Sequence, residues 1–174
     1  MNQSELLEAE LQRLAFPPRE DERPRNLGTV CFTATCAGNA WEVASNAKDV
    51  LRIVSEESLD RWPSLEEWKR KLPRWFVERC APEMSHLEAE NWLARWQSLS
   101  FEEQQRAELE KSWSLSDWLY WLKPGIRTWF WWDIAEPSGS KIVLAVEVLD
   151  WPFPWGALSW LLRASGATNV EAEE

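Results

Sequence analysis

RTWFWWDIAEPSGSKIVLAVEVLD, Arg127 to Asp150, is the stretch on which the fold turns. Two runs rich in β-branched and aromatic residues flank the turn residues 136–140, which reads as a β-hairpin with a loop of about four to six residues. Trp129 and Trp131 alternate with Phe130 and Trp132, while Ile142, Leu144, Val146 and Val148 alternate with Val143, Ala145 and Leu149. A sheet with one wet face would alternate with polar residues instead. The hairpin is therefore expected to be covered on both sides, or on one side plus a partner or ligand.

The next residues, DWPFPWG at Asp150 to Gly156, must end the second strand. Pro152 and Pro154 cannot donate to a ladder, and each holds the residue before it extended. Pro154 is a natural first residue for the helix in WGALSWLLRASG, with Leu158, Leu161 and Leu162 inward and Gly166 as its stop. The motif is a strand-to-helix corner whose aromatic faces are free to line a pocket.

Upstream, TVCFTATC at Thr29 to Cys36 reads as a strand, and Gly38, Asn39 and AWEVA complete a first hairpin. VLRIV, Val50 to Val54, is preferred as a third extended segment, with Asn46 as a cap if the region is helical instead. Helices dominate the middle. Ser64 with Glu67, Ser85 with Glu88, Ser100 with Glu103 and Ser114 with Asp117 all fit the capping box. Leu65, Trp68, Leu72, Trp75 and Phe76 follow the first on one face, and Pro73 should split that helix. Ala89, Trp92, Leu93, Trp96 and Leu99 form a second face, and Leu115, Trp118, Leu119 and Leu122 a third. Phe101 to Trp113 is mostly polar and belongs on the surface.

Together these predict an α+β fold: a mostly antiparallel sheet from residues 29–54 and 127–150, a central helical insertion, and a C-terminal helix packed on the sheet. Residues 1–28 read as an N-terminal helix, with Leu6, Leu7, Leu11 and Leu14 at helical spacing behind Asn2, followed by a mobile Pro-rich connector. Residues 29–170 form a single domain. The end NVEAEE, including an acidic tail at 171–174, has no packing prospects.

A chain of 174 residues suits one domain that buries roughly 70% of its unfolded surface. Its 15 tryptophans would account for about 2,000–4,000 Å² of that burial. Such a core can hide most of them, so excess Trp alone does not indicate a binding surface. The net charge of −10 repels phosphate backbones and anionic headgroups, which argues against nucleic-acid and membrane partners. It suits a protein partner with a basic surface. With no leader pattern or apolar span, and only Cys31, Cys36 and Cys80, a cytoplasmic protein with reduced thiols is expected.

Chemistry finds few footholds. His86 is the only histidine, so a multi-His metal centre is excluded, and any Ser-His-Asp mechanism would have to run through a residue expected to be a surface imidazole. Cys31 and Cys36 fall on opposite faces of a strand. Phosphate-binding glycine motifs are missing, so no catalytic residue, metal or cofactor is assigned. Residues 61–80 carry six bases and three acids with aromatics interleaved, but residues 83–117 carry eight acids and three bases. The two regions read more simply as electrostatic neighbours. Oligomeric state is not legible.

Asp133 and Glu147 lie within apolar strands and Asp150 at the corner, where an acid must be exposed, paired or functional. With Trp131, Trp151 and Trp155 they are the candidate ligand or partner site. The first expectation for the whole chain is a non-catalytic interaction protein. The alternative is a small-molecule or carbohydrate binder, or a carboxylate-based hydrolase, with these residues around a pocket.

Overall fold

The computed structural model describes residues 2–26, 28–135 and 137–173. In chain order they form α1 (Gln3–Ala15), β1 (Thr29–Cys36), α2 (Ala40–Ser58), α3 (Leu65–Lys71), α4 (Arg74–Arg79), α5 (His86–Gln97), α6 (Phe101–Glu110), α7 (Leu115–Leu122), β2 (Trp129–Ile134), β3 (Lys141–Val148), α8 (Gly156–Ser165) and β4 (Ala167–Ala172). The fold is α+β. Its four-stranded sheet has the order β2-β3-β1-β4, and every pairing is antiparallel.

The expected hairpin is β2 and β3, paired from Trp129 opposite Val148 to Ile134 opposite Leu144 with a one-residue register shift between Trp131 and Asp133. Phe32, Trp129, Trp131, Ile142, Leu144, Val146 and Val148 belong to the main core, together with residues of α2, α7 and α8. Phe130 belongs to a second cluster with Leu6 and Leu7 of α1, against which Leu149 packs. Both faces of β2 are thus covered, by helices on one side and by α1 on the other.

Two expected extended segments are helical. AWEVA and VLRIV both lie inside α2, capped by Asn39, whose Oδ1 accepts from the Trp41 amide at 2.9 Å. The reason is period. Ala40, Val43, Ala44, Ala47, Val50, Leu51 and Val54 are all buried, one stripe at helical spacing, and that stripe overrides the local β-propensity of Val and Ile. β1 accordingly pairs with β3 and β4, and with no residue of AWEVA.

The expectation for the C-terminal end is also corrected. NVEAEE supplies most of β4, which pairs with β1 from Phe32 opposite Ala172 to Cys36 opposite Ala167. Edge pairing is made by backbone groups and requires no apolar side chains, and exposed acids such as Glu171 suit an edge that must not pair further.

Pro73 does divide the helix after Ser64 into α3 and α4. Complete capping boxes form at Ser64, Ser85 and Ser100. Ser114 accepts from the Asp117 amide without the return bond, as expected of a carboxylate one methylene shorter than Glu.

α1 is anchored through the sheet by one buried ion pair. Glu10 takes charge-assisted bonds from the Arg127 guanidinium, from the Trp131 amide at 2.6 Å and from the Ser55 hydroxyl at 2.6 Å. Arg127 also donates from Nε to the Trp129 carbonyl at 2.9 Å and lies over the Trp129 and Phe130 rings. The Pro-rich connector behind α1 makes specific contacts too: Glu147 Oε1 accepts from the Arg25 amide, the Asn26 amide and Asn26 Nδ2 at 2.8, 3.0 and 2.8 Å.

Candidate functional site

Of the six residues singled out from the sequence, Trp131 and Glu147 share a small cavity of about 250 Å³ beneath α1 and the connector, and the other four lie apart from it. Trp131 is buried in the core with Lys48 over its ring at 5.8 Å. Asp133 sits at the far end of the hairpin ladder, opposite Ala145, and accepts from the Ile134 amide at 2.8 Å. Glu147 is buried under the connector it clamps. Asp150 is exposed and accepts from the Trp151 amide at 2.8 Å. Trp151 is 60% exposed. Of the six, Trp155 alone lines a large cavity beside the Asp150–Gly156 corner.

That cavity is an open groove of about 800 Å³. One wall is the DWPFPWG corner: Pro152, Phe153, Pro154, Trp155 and Gly156. The chain passes it with a cis Trp151–Pro152 peptide and enters α8 at Gly156, two residues later than Pro154. Trp155 is the cap, its carbonyl accepting the first helical bond from the Ser159 amide at 3.0 Å. Phe153 and Trp155 both pack on Phe32, at centroid distances of 6.1 and 5.0 Å, so the sheet fixes this wall.

The opposite wall is the α5–α6 hairpin. Ala89, Trp92, Leu93 and Trp96 face the groove from α5, with Met84 just before it, and Phe101, Gln104, Glu108 and Leu109 from α6. Neither helix has a buried residue, although both carry an apolar stripe. Leu93 is 47% and Phe101 72% exposed. Periodicity makes the α5 face visible in the sequence, yet a stripe looks the same whether it meets a core or an open groove.

The hairpin leaves the body through a narrow neck. The Ala81 amide donates to the Trp113 carbonyl at 2.9 Å, and Glu83 accepts from the Ser116 amide at 3.1 Å and from its hydroxyl. A second tie comes from α8, where Arg163 donates to the carbonyls of Glu110 and Lys111 at 3.2 and 2.7 Å. Trp113, fully inside, forms the groove floor between the walls.

At the floor Lys111 Nζ lies 4.1 Å from the Trp113 ring centroid and 4.5 Å from that of Trp92. Glu108 Oε2 is 3.1 Å from the same nitrogen. Trp92 in turn stacks on Trp96, at 6.3 Å and 20°. The groove is thus apolar along its length, with a cation held between aromatic faces at one point.

His86 is exposed, with Nε2 2.9 Å from Glu90 Oε1. Burial pushes the Cys80 thiol up to about 11 and raises Cys31 and Cys36. Among the described residues no group of His, Cys, Asp and Glu is placed to hold a metal ion, and no helix is long and apolar enough to cross a membrane. No protein family model matches this chain, and no curated protein or solved structure shows significant similarity to it.

Proposed function

We propose that this chain is a non-catalytic interaction protein that seats an apolar or amphipathic segment of a basic partner protein in the groove between the α5–α6 hairpin and the Asp150–Gly156 corner. The observation that carries this reading is the open apolar wall: two helices expose their hydrophobic stripes to a ready-made cleft and bury nothing themselves. Helix-in-groove recognition needs such a cleft. Aromatic side chains supply large rigid contact area, and Trp92, Trp96, Trp113, Trp121 and Trp155 all line this one.

Charge supports the choice of partner. Residues 83–117, which build most of the groove, carry eight acids against three bases, a field that steers a positively charged segment inward.

Fluorescence anisotropy with two labelled amphipathic helical peptides tests this, one of leucine and lysine and one of leucine and glutamate. The reading expects saturable binding of the basic peptide, weak binding of the acidic one, and loss of the basic peptide on Leu93→Glu or Phe101→Glu with the far-UV spectrum unchanged. Equal binding of both peptides, or binding indifferent to these substitutions, overturns it.

A further inference from the structure

We infer that the box formed by Trp92, Trp113 and Glu108 is a binding subsite for an alkylammonium group, and that Lys111 is its built-in occupant. An ammonium between two indole faces, with a carboxylate on a third side, is the arrangement by which proteins recognise such cations. Here it holds the chain's own lysine, with Nζ 4.1 and 4.5 Å from the two ring centroids and 3.1 Å from Glu108 Oε2.

The walls stand without Lys111. Trp113 is wedged against Gly156, and its Nε1 donates to the Glu108 carbonyl at 3.3 Å. Trp92 is braced by its stack on Trp96. Lys111 itself enters from the end of α6 on a flexible four-carbon stem, and its side chain keeps 20% of its surface exposed. It can therefore rotate out to water while an incoming cation takes over the same contacts. The exchange conserves charge in the box, so its cost is competition: an external cation sees only the fraction of molecules in which the lysine has left.

The cation has two possible sources, a lysine of the segment docked in the groove or a small quaternary amine, and both present the same chemistry. The first source rests on the groove reading above. The subsite can be tested without it, because the probes are small molecules.

Choline, n-butylammonium and 3,3-dimethyl-1-butanol, the neutral isostere of choline, are titrated into the intact protein and into Lys111→Ala, following indole N–H signals assigned with Trp92→Phe and Trp113→Phe. Lys111→Ala is expected to bind at least one cation saturably and about tenfold more tightly than the unaltered chain does, with the neutral isostere much weaker. Tighter n-butylammonium points to a lysine source, tighter choline to a quaternary amine. Equal binding of the isostere, or no saturable shift in a folded Lys111→Ala, overturns the inference. Should that variant not fold, the unaltered chain gives the answer through the Lys111 Hε protons. Ring currents shift them upfield, and choline must return them toward ordinary values; if they stay in place, the subsite does not exist. Basic-peptide binding without any cation effect would leave the groove reading standing and remove only this one.

Discussion

Gly156 and Trp113 touch so closely that a methyl group on Gly156 would lie 2.8 Å from Trp113 Cζ2. The glycine is the first residue of α8, and the indole it admits is the groove floor. Both are buried, so neither can step aside into solvent. Gly156→Ala is expected to cost about 1–3 kcal/mol by overpacking. Urea denaturation of the single variant and of Gly156→Ala/Trp113→Phe checks this: the smaller ring should recover a large part of the loss.

The Glu10–Arg127 pair is fully enclosed, with side-chain exposures of 0% and 1%. Arg127→Met leaves the Glu10 carboxylate inside without its cation and is expected to destabilise by about 3–5 kcal/mol. Replacing both partners, as in Glu10→Leu/Arg127→Met, should cost much less than the two single changes together. A double-mutant cycle in chemical denaturation measures the difference.

Glu147 holds two backbone amides and one side-chain amide of the connector. Glu147→Ala strands those donors, at a cost of about 1–3 kcal/mol for a buried unmet group. Hydrogen exchange should quicken at Arg25 and Asn26 while α2 and α8 remain protected.

The hydrogen bond from the Arg61 guanidinium, followed by that from the Ser64 amide, holds the Glu67 carboxyl at about 2, down from an ordinary 4.5. A carboxyl depressed by folding contributes stability above 4.5, and that contribution fades as pH falls from 4.5 toward 2. Glu67→Gln should therefore lower Tm at neutral pH and flatten its decline across this acid window, as followed by thermal melts at stepped pH.

Burial keeps the Cys80 thiol at about 11, far above neutrality. Thiolate is the reactive form, so Cys80 should react with an aromatic disulfide reagent much more slowly in the native state than in guanidinium. Stopped-time labelling with peptide mapping checks this.

The β2–β3 hairpin is legible in the sequence because two runs of β-branched and aromatic residues and the turn chemistry between them agree over Arg127 to Asp150. The Ser caps were legible for a similar reason, since each carried both its hydroxyl and its acid. α2 is hidden from a five-residue window, in which its Val and Ile look extended and the stripe running from Ala40 to Val54 does not show. β4 was missed because an edge strand is written in backbone hydrogen bonds rather than in apolar residues. At the groove, the two prolines of the corner make the turn legible in the sequence, and Phe153 and Trp155 give it aromatic faces. Its opposite wall lies about sixty residues away in sequence, and nothing in a single sequence announces that Trp92 and Trp155 share a cleft. The buried acids misled in the other direction: Glu147 looked available for a ligand and is occupied by the chain's own connector.

The sheet order has a kinetic consequence. The central pair joins β1 to β3 across all of α2 through α7, and the connector bond from Arg25 to Glu147 spans 122 residues of chain. Closing so long a loop costs entropy before any ladder bond repays it. The capped helices between can form locally and early, whereas the sheet can close only when both ends of the chain arrive. Nascent chains leaving the ribosome therefore carry β1 unpaired until β3 emerges, and the middle helices are what must hold the chain compact in the interval.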